Sequence, residues 1–335
     1  MLRFFRSNQI FVVFLLLAYL IVIRSGALFG WILPRELPET GGLLYQSWFG
    51  WMKAFPMISA ITAFILVFVQ AFAVNFLADE FRMMGDRNWF PGLIYGISAS
   101  AFPEYLFVSA PLVAATIVPF GLMKIFHAFQ KPNVHSIILD SGLWLSAGCL
   151  FYPPLVWLLV AGFAGFFVVR VFRLNEMFIY AFGALIPLFW GWLWYFWTDK
   201  GSEFRDVQLG GLFQMVNFNI LWKEIDMLNA TMLGVYILLL LLSLPKILNR
   251  KGIQIQKYVG ALLWFLVAGI FSVGLQASWH WSSWIVAVTP LSLLLVLGYQ
   301  DSFKKWWIEI AHLVLVAFIF ILQYANHLLP YLQYL

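Results

Sequence analysis

The chain has 335 residues, of which 63% are hydrophobic, 19% aromatic and only 10% charged, where a soluble domain carries about 25% charged residues. With a mean hydropathy of +0.88 it lacks the polar side chains to coat a water-soluble globule, so a soluble enzyme is excluded. The net charge of +5 is spread in short clusters at the ends of apolar runs, which sets topology rather than building a nucleic-acid groove.

In chain order the apolar runs predict eleven membrane helices, over 9–30, 56–77, 91–102, 105–127, 136–152, 155–172, 177–197, 228–248, 258–276, 282–299 and 306–325. A hydrocarbon core of about 30 Å takes about 20 apolar residues per span. The predicted fold class is therefore all-α, a polytopic transmembrane helical bundle forming one domain over 1–335. The first run, Ile10 to Ile23, follows Arg3 and Arg6 but precedes a poor cleavage site, and reads as a retained signal anchor. Residues 31–55 form a first outer loop. Residues 198–227 form a second, with an amphipathic interfacial helix over 212–222.

Charge orients the bundle. Placing the N-terminus in the cytoplasm leaves Arg24, Arg35, Lys53, Lys200, Arg205 and Lys223 outside and puts the other 14 of the 20 Lys and Arg inside, as the positive-inside rule expects. The C-terminus then lies outside, and the host membrane is a bacterial inner membrane.

Two of the predicted spans are short. The third stops at Pro103 and the fifth at Pro153-Pro154. Each is followed by an apolar helix ending in basic residues, so the pair reads as a weak repeat of helical hairpins. Proline fits the first turn of the helix after each apex, and short helices at membrane depth require protein or a water-filled cavity over their ends.

Chemistry-bearing residues are sparse. His127, His135, His280, His312 and His327 are isolated, with no His-x-x-His or His-x-x-x-His pair, so neither a metal nor another cofactor is expected. Phosphate-binding loops and nucleophile elbows are missing. The lone Cys149 cannot form an internal disulfide and reads as a packing residue. Asp140 and Glu309 lie close enough to cytoplasmic helix ends to be hydrated or paired with nearby cations, and Gln276 suits a helix–helix hydrogen bond. The outer face gathers Glu36, Glu39, Glu104, Lys200, Arg205 and His280. A carboxylate beside cations at the mouth of a membrane cavity suits transfer chemistry, the cations holding a phosphate and the carboxylate activating a hydroxyl.

The stretch Gly85-Asp-Arg-Asn-Trp-Phe-Pro through Phe102-Pro103, with Ile138-Leu-Asp-Ser-Gly-Leu-Trp-Leu-Ser-Ala-Gly-Cys-Leu-Phe-Tyr-Pro-Pro, resembles an uncharacterised family of bacterial polytopic inner-membrane proteins. Some of its members carry a label of beta-carotene monooxygenase, against which the histidine spacing argues. More loosely, the architecture is similar to the GT-C polyprenyl-phosphate-sugar glycosyltransferases. That likeness implies a carboxylate acting as catalytic base in the first outer loop, matched by Glu39 in Pro38-Glu-Thr-Gly-Gly and then by Glu36; the outer-face chemistry adds Glu104, Lys200, Arg205 and His280 as substrate-binding residues.

Three functional readings follow. The first is a GT-C-like envelope protein, active or degenerate, handling a lipid-linked sugar or another lipid at the outer leaflet. The second is a non-catalytic subunit or scaffold for other envelope membrane proteins, and the third a small-molecule transporter. The expected partners are the lipid bilayer, a polyprenyl-phosphate-linked sugar and other envelope proteins, with no nucleic acid.

Overall fold

Prolines punctuate the backbone. They occupy the first turn of α4 (Pro56–Glu80), α5 (Phe90–Ser98), α6 (Ala110–Ala115) and α7 (Val118–His127), and of the 3-10 turns Pro103–Leu106 and Pro153–Leu155. There the missing N–H costs nothing and the fixed φ suits a helix start. The computed structural model describes residues 4–6, 9, 11–34, 41–171, 173–210, 224–249, 252–276, 279–299 and 306–332, and no side chain is described at 224, 307 or 325–332.

Among the described residues every regular element is helical. Besides those above they are α1 (Phe11–Ile23), α2 (Ser25–Leu28), α3 (Leu43–Phe49), α8 (His135–Phe151), α9 (Val156–Val169), α10 (Leu174–Trp197), α11 (Gly201–Gln208), α12 (Glu224–Leu248), α13 (Ile253–Gly274), α14 (Val288–Tyr299) and α15 (Trp306–Leu332), with 3-10 turns at Phe4–Arg6, Gly50–Ala54 and Trp281–Ala287. All eleven predicted segments fall on these helices. Among the described residues six stretches are long and apolar enough to cross a membrane: Pro56–Glu80, Ala110–His127, Leu174–Trp197, Ile225–Leu248, Ile253–Gly274 and Trp281–Tyr299. Phe11–Ile23, His135–Phe151 and Pro153–Val169 are apolar but shorter, as is Ile308–Tyr324, the continuous stretch of α15 whose side chains are described, and α5 has only 9 residues. The chain is an integral membrane protein built as an all-helical bundle.

Two predicted spans are broken. The first bends at Arg24, between α1 and α2. The fourth opens as the 3-10 turn Pro103–Leu106, runs extended through Phe107 and Ser109, and only then becomes helical. Its second break, at Thr116 and Ile117, precedes Pro119, whose ring would collide with the carbonyl four residues back. The amphipathic stretch 212–222 lies outside the described residues. Beside it, α11 buries Phe204 and Gln208, and Gln208 donates to the Cys149 carbonyl.

Small residues set the closest approaches, as expected where lipid supplies no hydrophobic drive between helices. At the junction of α8 and α10, a Cβ on Gly142 would lie 2.6 Å from the Tyr180 carbonyl oxygen, and one on Gly183 would collide with the Leu139 carbonyl. Polar side chains tie other helices. Gln70 of α4 donates to the Leu112 carbonyl (2.8 Å) and to Thr116 Oγ1 (2.7 Å), and accepts from the Tyr95 hydroxyl (2.8 Å). The Tyr152 hydroxyl donates to Gln276 Oε1 at 2.9 Å. At helix ends Lys124 pairs with Asp140 at 2.7 Å, and Arg170 with Glu176 at 3.0 Å.

Candidate functional site

Between the end of α5 and the start of α6 the backbone makes two turns and an extended stretch, leaving carbonyls without helical partners. Arg24 supplies donors to them. One guanidinium nitrogen donates to the Ala99 carbonyl (3.2 Å) and to Ser100 Oγ (3.3 Å), the other to the Tyr105 carbonyl (2.6 Å). The side chain is 1% exposed, so a residue counted in the sequence only as a topology charge is buried among backbone carbonyls. From the far end of the chain Gln323 donates to the Ser100 carbonyl at 3.2 Å.

Glu104 sits on the turn that Arg24 holds. It is 5% exposed, and Asn229 Nδ2 of α12 points to its Oε1 at 3.5 Å. The Phe102 ring packs 5.6 Å from Trp281, whose indole donates to Asp226 at 2.9 Å. His280 immediately precedes Trp281, and burial pushes its imidazole below the usual histidine range. The fold thus brings the Glu104 turn against the segment that His280 introduces.

The other predicted residues lie elsewhere. Lys200 caps α11 and stands 3.9 Å from Glu203, while Arg205 bonds its neighbour Asp206 at 3.3 Å, all of them exposed. Their helix docks on α3 and α10 through Phe204, which packs with Leu43 and Leu150. Glu36 and Glu39 lie outside the described residues.

A second feature was not anticipated. A cavity of about 650 Å³ opens between α5, α12, α14 and α15. Its lining on α15 runs from Ile308 to Ile321, about 20 Å at 1.5 Å per residue, more than half of a hydrocarbon core of about 30 Å. Val235, Val314 and Ile321 line it and are also exposed on the flank of the bundle, so the cavity communicates with the lipid-facing surface. Nearly all the wall is apolar. The polar exceptions are Ser98, Tyr236, Tyr299 and His312. Tyr299 donates to the Leu239 carbonyl at 3.1 Å. His312 Nε2 shares a hydrogen bond of 2.7 Å with the Tyr19 hydroxyl, and the two rings stack at 5.8 Å.

Sequence reasoning counts His312 among the isolated histidines and passes over Ser98, Tyr19 and Tyr236. The available signal was a tyrosine inside an uninterrupted apolar run, as in Gly234-Val-Tyr-Ile-Leu. Comparison of the chain with protein-family models, curated proteins and solved structures gives no match.

Proposed function

We propose that this chain is a bacterial inner-membrane protein of the cell envelope that holds a lipid substrate within the bilayer, its hydrocarbon chain seated in the cavity between α5, α12, α14 and α15. The observation that carries this reading is the cavity itself: about 650 Å³, almost wholly apolar, and flanked by exposed apolar side chains. Water finds few polar partners there, and hydrocarbon fills such a space without penalty. Pockets for small molecules share this composition of apolar wall with a few polar groups.

The more specific form of the reading is a GT-C-like transfer step at the outer leaflet on a polyprenyl-phosphate-linked sugar. Glu39 or Glu36 would act as base, with Glu104, Lys200, Arg205 and His280 holding substrate. Its support is the buried Glu104 carboxylate beside the turn introduced by His280.

Two experiments test these forms separately. Lipid extracted from the purified chain and quantified by mass spectrometry should approach one molecule per chain. Ala311→Trp, which projects an indole into the cavity, should cut that several-fold without changing the yield of monodisperse protein. Equal retention by both chains removes the lipid reading. For the transfer step, Glu39→Ala and Arg205→Ala chains should fail to restore a deletion strain, and full restoration by both removes it.

A further inference from the structure

The cavity wall carries a polar patch whose hydrogen-bonding capacity the protein leaves unused. Ser98, Tyr236 and His312 are 2%, 5% and 8% exposed, and all three line the cavity. Among the described residues the Tyr236 hydroxyl and His312 Nδ1 have no hydrogen-bond partner in good geometry, although Ser98 stands beside Tyr236. Buried polar groups are almost always paired, and one left unpaired calls for an explanation. The patch is local: Tyr19, bonded to His312, also neighbours Tyr236.

Donors dominate it. When the Tyr19 hydroxyl donates to His312 Nε2, neutral imidazole carries its proton on Nδ1. Nδ1–H and whichever O–H of the Ser98–Tyr236 pair is not spent between the two then remain as donors at the cavity wall. Depth and charge narrow the ligand further. Tyr236 is at the centre of the 25-residue α12, about 18 Å from either end, and no Lys, Arg, Asp or Glu appears among the described residues lining the cavity. An anionic or cationic head group placed there would be a charge in hydrocarbon without a counter-ion.

We infer that Ser98, Tyr236 and His312 form a binding subsite for the uncharged carbonyl of a lipid whose hydrocarbon chain occupies the rest of the cavity. A carbonyl oxygen accepts from these donors and needs no acceptor in return. Two sources share this chemistry, an isoprenoid quinone and a diacylglycerol ester. The inference rests on the lipid-cavity reading and is independent of any transfer step.

The test measures binding of four pure probes to the full chain in nanodiscs: a long-chain isoprenoid quinone, a diacylglycerol, the dialkyl glycerol lacking its carbonyls, and a polyprenyl phosphate. The quinone or the diacylglycerol should bind about three- to tenfold more tightly than the dialkyl glycerol, the range for one or two neutral hydrogen bonds. Whichever does so names the source. Tyr236→Phe and Ser98→Ala should each shrink that ratio while leaving dialkyl glycerol binding intact, which also shows that the variant is folded. If neither the quinone nor the diacylglycerol binds more tightly than the dialkyl glycerol, the inference is overturned, the patch then holding only water, and an unchanged ratio in both variants overturns it as well. Tightest binding by the polyprenyl phosphate also overturns it. In all three cases the lipid cavity stands, whereas binding of no probe removes both.

Discussion

Trp281–Tyr299 and Leu174–Trp197 are comparably apolar, yet 89% of the first is buried inside the bundle and only 11% of the second. The difference lies in residue size and polarity, not in hydropathy. The buried stretch carries Ser282, Ser283, Thr289, Ser292 and Gly298, all inside. Gly298 lies so close to Ser243 of α12 that a Cβ would collide with it. Small side chains let backbones approach, and hydroxyls find partners across or within helices, as Ser283 does with Gln276. The exposed stretch is instead rich in large rings, with Phe178, Phe182, Trp190, Trp194 and Trp197 facing outward. In a bilayer, then, apolarity marks a span while small and hydroxylated residues mark which spans lie at the centre.

Substitutions can break or sharpen this contrast. The largest effect is expected for Arg24→Met, which strands the Ala99 and Tyr105 carbonyls in the buried centre. Each hydrogen bond to a charged donor contributes about 1.5–3 kcal/mol, so the loss should reach about 3 kcal/mol, read as a fall in thermal midpoint in detergent. Next comes Gly183→Leu on the otherwise outward α10. Its side chain would enter the Leu139 backbone, and overpacking of this kind costs about 1–3 kcal/mol. That result would locate the narrow buried stripe by which an exposed helix is held. Trp190→Leu, on the same helix but 64% exposed, should shift stability by less than about 0.5 kcal/mol. A large loss there would mean that the ring packs on protein rather than on lipid.

The positions of the helices were legible because apolar run length and proline punctuation are local properties. Pro103 and Pro153 mark turns in the structure as they do in the sequence. Asp140 reads in the sequence as hydrated or paired with a nearby cation, and it meets Lys124; Gln276 suits a helix–helix bond, and it accepts from Tyr152. Both partners lie near the ends of neighbouring helices, where the choices are few. Arg24 was not legible. A cation at the end of an apolar run looks like a topology signal, and only the return of residues 99–105 to its side turns it into a buried donor. The cavity was invisible for a related reason: it lies among α5, α12, α14 and α15, and no local pattern says which apolar faces leave a gap. Of the proposed outer-face residues, the structure brings Glu104 and the segment after His280 together through Phe102 and Trp281, a contact between positions almost 180 residues apart in the chain.

The segment 99–105 receives Arg24 from the first helix and Gln323 from the last described one. Those two donors leave the ribosome almost 300 residues apart: Arg24 can meet its carbonyls once residue 105 is in place, whereas the Ser100 carbonyl waits for residue 323. A nascent chain arrested before residue 323 therefore leaves the Ser100 carbonyl without the Gln323 donor that closes this turn.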